Sequence, residues 1–395
     1  MKGTKILTRS ILLLGFVSLF TDVSSEMLYP VLPVYLKSIG YTALWIGMLE
    51  GLAEATAGLS KAYFGKMSDD KGRRMPFVQL GYFLSGLAKP LLVLFMNPFW
   101  VLACRISDRL GKGIRTGARD AVLSEESLPE NRGRIFGFHR AMDTLGAVIG
   151  PLLALLWLLY HPGAYKVLFL AALLPALVGL ACAFAVKEKQ VAPPPKTARK
   201  LFSFFAYWKN ASPSYRAVCG GLILFALFNS SDVFLLLMAR QQGLSDTQMI
   251  LAYVFYNLVY AIFSMPFGAL ADKYGMKTSL CIGLFCFGVT YAGMALTASP
   301  AMIFSLFFVY GLYAAATDGV SKAWVSRLAP KSETGASIGF LAGAVSIAAI
   351  LASTLTGLAW EMAGASAALL VSAIAAIGVL IYFVFRVKEQ QVPAG

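Results

Sequence analysis

Two pairs of carboxylates, Asp22 with Glu26 and Glu50 with Glu54, stand one helical turn apart inside otherwise apolar stretches. Further on, Arg105, Asp108, Lys112, Arg115 and Arg119 are spaced alternately by three and four residues, which puts all five on one stripe of a helix. Arg109 and Asp120 lie beside that stripe, Asp143 falls in the next apolar stretch, and Lys89 precedes Pro90 in the one before. An ionisable side chain at the centre of a membrane helix costs about 2.5–3.5 kcal/mol, so it turns to a wet cavity or to an opposite charge. Two chemistries fit. A carboxylate in a dry cavity can have its pKa raised towards neutral and exchange protons. Alternatively, the acids of the first two stretches neutralise the bases of the fourth as internal salt bridges. The proton role is the expectation for Asp22 and Glu26, and salt bridging for Arg115, Arg119 and Asp120 near the end of their stretch.

The elements that must carry these charges are membrane helices. The composition is 58% hydrophobic and only 14% charged, with a mean hydropathy of +0.69. Runs of ~20 apolar residues are what ~30 Å of hydrocarbon requires. They fall at 8–37, 43–64, 76–96, 99–122, 134–159 and 166–186, and again at 216–240, 246–267, 277–297, 301–326, 335–360 and 365–386. Lys2, Lys5 and Arg9 before Ile11–Phe20 imitate a secretory signal, but no small-x-small cleavage site follows, and the stretch reads as the first membrane helix. The expected organisation is a six-helix bundle over 1–190, a cytoplasmic linker over 191–215 and a second six-helix bundle over 216–395. Within the linker, Pro193–Pro195 favours extended chain, and Leu201, Phe204, Phe205 and Trp208 share one face of a short amphipathic helix suited to the leaflet surface.

Lys and Arg gather in one set of loops (Lys66, Lys71, Arg73, Arg74, Arg132, Arg134, Lys273, Lys277, Arg327, Lys331) and at both ends of the chain. By the positive-inside rule both termini are cytoplasmic, in an inner-membrane protein. The net charge of +14 is thus a topology signal and not a nucleic-acid footprint, because it is split between apolar runs. Five cysteines in or beside apolar runs read as small buried hydrophobes, and two separated histidines, His139 and His161, make no metal cage. No nucleophile elbow, zinc helix, phosphate loop or paired-cysteine motif is present, so neither an enzyme, a cofactor nor a metal is expected.

The chain repeats itself. Gly65-Lys-Met-Ser-Asp-Asp-Lys-Gly-Arg-Arg74 joins two apolar runs, and Gly268, Asp272, Gly275 and Lys277 repeat its spacing 203 positions later, an offset that also carries Gly40 onto Gly243. Gly65, Asp69, Gly72, Arg73 and Arg74 resemble the signature loop between helices 2 and 3 of the major facilitator superfamily, with its echo between helices 8 and 9. Asp70 departs from that pattern, whereas Lys273 keeps the basic residue in the second copy. Arg109, Lys112 and Gly113 resemble the arginine-glycine motif of proton-coupled members. Gly146, Gly150 and Pro151 resemble the glycine-proline motif of antiporters, and equally suit close helix packing. Asp22-Val-Ser-Ser-Glu26 and Gly111-Lys-Gly-Ile-Arg115 resemble a bacterial drug-efflux branch.

The resemblance implies an all-α fold of twelve transmembrane helices, in two six-helix bundles related by pseudo-two-fold symmetry. It also implies a secondary transporter that works by alternating access. Asp22, Glu26, Glu50 and Glu54 would bind the coupling proton. Arg105, Asp108, Arg109, Lys112, Asp143, Asn229, Asp232, Asn257 and Asp318 would line the substrate cavity, Asn229 and Asn257 holding the slots of Glu26 and Glu54. Gly65, Asp69, Gly72, Arg73, Arg74, Arg115, Arg119, Asp120, Gly268, Asp272 and Gly275 would form a cytoplasmic latch. Tyr29, Tyr35, Tyr256, Tyr260, Tyr310 and Tyr313 either line the cavity or pack. Two solute readings stay open: a drug-like cation exported against protons, using the carboxylates, or an anionic solute (organic acid, phosphate ester or carboxylate siderophore), using the bases. A non-transporting receptor or a membrane-embedded enzyme is the remote alternative. Partners are a small-molecule substrate and membrane lipids, with no nucleic acid, and a monomer is expected.

Overall fold

Inside a bilayer each backbone N–H and C=O must find its partner within the chain, and apolar runs of this length meet that demand by coiling into helices. The computed structural model describes residues 8–95, 97–126, 132–187, 207–297, 299–329 and 334–387, and every regular element among them is helical. In order these are α1 (Arg9–Glu26), α2 (Leu32–Ser38), α3 (Ala43–Lys71), α4 (Met75–Leu91), α5 (Pro98–Glu125), α6 (Arg132–Tyr160), α7 (Tyr165–Ala171) and α8 (Leu173–Ala185). The second half holds α9 (Tyr207–Asn210), α10 (Pro213–Ala226), α11 (Val233–Gln241), α12 (Asp246–Tyr274), α13 (Met276–Leu296), α14 (Pro300–Arg327), α15 (Thr334–Ala363) and α16 (Ala365–Arg386). Seven of the described stretches are long and apolar enough to cross a membrane on composition alone. The other expected spans are α1 with α2, α3, α4, α5 and α10 with α11; α3 and α5 are rich in charges, α4 is short, and α1–α2 and α10–α11 are interrupted.

Those interruptions are the main departure from the unbroken runs expected at 8–37 and 216–240. Residues 27–31 separate α1 from α2, where Pro30 and Pro33 cannot donate to the preceding turn. Residues 227–232 separate α10 from α11, where Asn229, Ser230, Ser231 and Asp232 offer side chains that compete with the backbone. There Ser231 N donates to Ser353 Oγ (3.2 Å) and Val233 N to Ser231 Oγ (3.4 Å). Shifted by the repeat of 203, the two breaks overlap.

The same repeat shows in the backbone. Gly40 and Gly243 have φ of 97° and 95°, and Gly72 and Gly275 have 61° and 100°. These are left-handed turns at matching positions, which explains why the charged loop and its echo each keep a glycine there.

The chain divides into two units by its internal contacts, Met1–Tyr35 with Ala53–Leu201, and Leu36–Leu52 with Phe202–Gly395. In the first unit α1 packs on α6 and α8, and α4 packs on α5 and α8. Ile11, Leu14, Val17, Val78, Tyr82, Ile114 and Leu123 are central to its core. In the second unit α12 and α13 both pack on α14, α13 packs on α16, and α10 lies against α15 and α16. The amphipathic linker helix lies outside the described residues except for α9, whose Trp208 stacks on Phe340 (5.1 Å) and whose Tyr207 meets Tyr215 (5.0 Å). Leu201, Phe204 and Phe205 are among the residues not described.

Gly146 and Gly150 let α6 reach the backbone of α1. A Cβ at Gly146 would lie 2.7 Å from both Leu19 O and Asp22 Cβ, and one at Gly150 would lie 2.5 Å from Val23 O. Gly220, in α10, has open space instead. Gly146→Ala is therefore expected to lower the melting temperature in detergent by the equivalent of about 1–3 kcal/mol of overpacking. Gly220→Ala is expected to be neutral or slightly stabilising; equal melting temperatures for the two variants would refute the tight seam.

Candidate functional site

Most of the ionisable side chains found inside spans by sequence belong to the first unit, and its packing shows which face one another. On α5, Arg105 and Arg109 are both almost fully buried. Arg105 Nη1 lies 3.7 Å from Asp108 Oδ2, one turn along the same helix. Asp108 also accepts a hydrogen bond from Ser85 of α4. Arg109 Nη1 lies 3.2 Å from Glu54 Oε1 of α3, and its guanidinium stands over the ring of Tyr29 (5.9 Å), in the break between α1 and α2. Two of the cations proposed to meet a substrate are thus already engaged with acids of their own unit. Lys112 is exposed.

Asp22 and Glu26 are half-buried on α1, where the glycines of α6 bring the two helices together. Asp22 is in electrostatic reach of Asp143, Glu26, Lys112 and Arg115. Asp143 of α6 accepts from Ser18 Oγ of α1 and lies 3.6 Å from His139 Nδ1. Ser18 and His139 had no role in the sequence reading; only their i, i+4 relations to Asp22 and Asp143 could have pointed to them. Lys89 of α4 is 3% exposed, and its Nζ makes no hydrogen bond among the described residues, with Asp108 its principal counter-charge. Glu50 is buried too and belongs to the second unit, whereas Asp22, Glu26 and Glu54 belong to the first.

The second unit answers this charge lattice with tyrosines. Asp232, at the break between α10 and α11, accepts hydrogen bonds from Tyr256 of α12 (3.0 Å) and Tyr310 of α14. The rings of Tyr256 and Tyr310 are 5.1 Å apart, Tyr310 and Tyr313 5.2 Å, and Tyr253 and Tyr256 5.6 Å. Asn229 Nδ2 donates to Tyr313 Oη (2.9 Å). Asp318 accepts from Tyr260 (2.9 Å) and from Lys322 (2.7 Å) near the exposed end of α14. Asn257 donates to Tyr253 O of its own helix (2.9 Å). Of the tyrosines singled out by sequence, Tyr256, Tyr260, Tyr310 and Tyr313 do present their hydroxyls to polar groups, whereas Tyr35 packs against Tyr165 and Phe169 (5.2 and 5.4 Å).

The latch residues separate into pairs. Arg74 pairs with Glu125, Arg119 with Asp120 (3.0 Å), and Asp272 with Arg327 (2.7 Å). Lys61 approaches Asp120 at 3.9 Å, and Arg73 is exposed. Gly65 meets Gly117 Cα, while Gly268 faces open space. Arg115 sits deeper than expected, buried with its guanidinium over the Tyr82 ring (4.6 Å). The side chains of Asp69 and Asp70 are outside the described set. Away from all these charges, a groove of about 500 Å³ between α1, α6, α7 and α8 is lined by apolar side chains such as Phe20, Ile149, Trp157 and Leu174.

Comparison with known proteins matches both halves to one family. Residues 14–231 and 217–394 each match the Major Facilitator Superfamily. An uncharacterized MFS-type transporter of Methanocaldococcus jannaschii is 35% identical over 387 residues, covering 96% of this chain and 95% of the relative. A multi-drug resistance efflux pump PmrA homolog of Lactococcus lactis is 24% identical over 322 residues, 79% of this chain and 78% of that one. Among solved structures, the nucleoside transporter NupG superposes with a TM-score of 0.79 at 14% identity, covering 97% of this chain and all of that one.

Proposed function

The chain belongs to the Major Facilitator Superfamily and is a multi-pass membrane transporter rather than an enzyme, and from that premise we propose that it is a proton-coupled antiporter exporting a cationic or aromatic solute by alternating access. Both termini face the cytoplasm in this reading, following the Lys and Arg bias of the loops. Asp22, with Glu26, binds the coupling proton. Glu54 serves instead to hold Arg109.

One observation carries the choice of solute. Asp232 stands at a break in its span with tyrosines from two other helices around it. Interrupted helices at matching positions of two repeats are where transporters place solute and ion. A carboxylate ringed by aromatic faces suits a weakly hydrated cation, through charge and cation–π attraction together. The alternative, an anionic solute held by the bases of α5, is disfavoured because Arg105 and Arg109 already have carboxylate partners. The multi-drug name of the Lactococcus lactis relative supports export.

The test is counterflow in proteoliposomes with tetraphenylphosphonium and with an aromatic organic acid. Asp232→Asn is expected to weaken half-saturation for the cation at least about tenfold, or 1.4 kcal/mol. Arg109→Gln is expected to change it much less. Counterflow of the acid that depends on Arg109 and ignores Asp232 would reverse the assignment.

A further inference from the structure

His139 is one of only two histidines in the chain. It is 4% exposed on α6, about two turns from the start of that helix. Its Nδ1 lies 3.6 Å from Asp143 Oδ2, too long for a hydrogen bond but within ion-pair range. Its Nε2 is buried and makes no hydrogen bond among the described residues. The other oxygen of Asp143 accepts from Ser18 Oγ of α1, and Ser18 in turn accepts from Arg119 Nη1 of α5 (3.3 Å).

The charged and titratable groups facing this cluster come from four helices. They are Asp143 and Arg140 on α6, Arg119 and Asp120 on α5, Asp22 on α1 acting through Asp143, and Tyr82 of α4 beside Arg119. Their order along the seam is informative. Glu26 lies level with Gly150, Asp22 with Gly146 and Ser18 with Asp143, and His139 follows one turn nearer the N-terminal ends of both helices. Successive proton-bearing groups are thus about one turn apart, 5.4 Å along the axis. They run from the middle of the span towards the end read as cytoplasmic.

We propose that His139 relays the coupling proton between Asp143 and the cytoplasmic end of the seam where α1 meets α6. A proton passed from Asp22 to Asp143 makes Asp143 a carboxylic acid. Asp143 gives that proton to Nδ1 of the neutral imidazole and returns to carboxylate, while the ring gives up the proton on Nε2 to water. The ring is neutral before and after, with its remaining proton moved from Nε2 to Nδ1, and the reverse passage resets it. Because Nε2 is sealed here, the exit is closed in this conformation. Imidazole suits the task because its two ring nitrogens are distinct, so one can take a proton while the other gives one up. Arg119 and Ser18 are positioning residues that fix the Asp143 carboxylate.

The relay rests on the proton-coupled reading, but its test needs no solute, since the proton alone is the probe. In nanodiscs, protein labelled with ¹⁵N-histidine gives two sets of ring signals, and His161→Gln assigns them. The ring nitrogens of His139 are expected to change charge or tautomer as Asp143 gains and loses its proton across a pH titration. That change should be lost in Asp143→Asn and kept in Asp143→Glu, with His161 unaffected by either. A His139 ring that holds one tautomer throughout, or one that ignores Asp143→Asn, overturns the relay. In transport, His139→Gln is expected to slow pH-driven flux about a hundredfold, the low end of what a positioned acid–base group contributes, and equal slowing of counterflow would point to a merely structural role. Loss of pH-driven flux in wild type alongside a normal His139 titration would refute the antiport reading and not the protonation site.

Discussion

Asp108→Leu is expected to cost about 3–5 kcal/mol of stability, the penalty for leaving a buried charge without its partner. Asp108 is the acid nearest to two buried cations. Arg105 lies 3.7 Å from it, and Lys89, whose ammonium makes no hydrogen bond among the described residues, has it as principal counter-charge. Ser85 adds a hydrogen bond that fixes the carboxylate between α4 and α5. Truncating the acid takes its principal counter-charge from Lys89 and one of its partners from Arg105 in a low-dielectric interior. Removing a cation acts in the opposite sense: Lys89→Met takes away that ammonium, leaves Asp108 its arginine, and is expected to be neutral or stabilising. The double variant should recover more than half of the loss, because the two sites share one interaction. Thermal unfolding of the three proteins in the same detergent measures this. Additive losses would mean that Lys89 and Asp108 do not sense each other.

That asymmetry between neighbours on one stripe was beyond the sequence, and the reason is geometric. Spacing by three and four fixed the face of α5 on which Arg105, Asp108, Lys112, Arg115 and Arg119 lie. It did not say which helix each residue meets, since packing order is set by contacts far apart in the chain. Arg109 finds Glu54, Arg115 finds an aromatic ring and Arg119 finds Asp120 and Ser18. Hydropathy, by contrast, is a local property, so the spans were legible to within a few residues, and the repeat of 203 was visible in glycines that hold left-handed turns. The breaks at 27–31 and 227–232 were hidden because prolines and an Asn-Ser-Ser-Asp run are tolerated in membrane helices when neighbours satisfy the backbone. Asp232 was singled out as a charge, and its tyrosine partners Tyr256 and Tyr310 as candidates. Their convergence needed three dimensions.

Asp22→Asn is expected to bring proton-driven flux close to background while leaving the fold intact. The argument is one of charge balance. In the first unit Asp22, Glu26, Glu54, Asp108, Asp120 and Asp143 stand against a larger number of bases, Lys61, Lys89, Arg105, Arg109, Lys112, Arg115, Arg119 and Arg140 among them. Ion pairs join Glu54, Asp108 and Asp120 to bases at 3.2, 3.7 and 3.0 Å. Asp22 instead faces both bases and acids, Lys112 and Arg115 on one side and Asp143 and Glu26 on the other, at the seam that Gly146 closes. One proton there removes a negative charge from a lattice already richer in bases, and a conformation that separates α5 from α1 is then favoured by the repulsion. A bias of about 1.4 kcal/mol is enough to shift two states tenfold. Asparagine mimics the protonated acid in shape and in charge, so it fixes the bias and removes the cycle. The expected result is solute counterflow within a few-fold of wild type, and flux under a pH gradient reduced by at least about tenfold, corresponding to loss of that coupling energy. Glu54→Gln is the contrasting variant: it frees Arg109 and should weaken counterflow and coupled flux together. Retention of full pH-driven flux by Asp22→Asn would move the proton site to another acid and remove the physical basis for coupling at the α1–α6 seam.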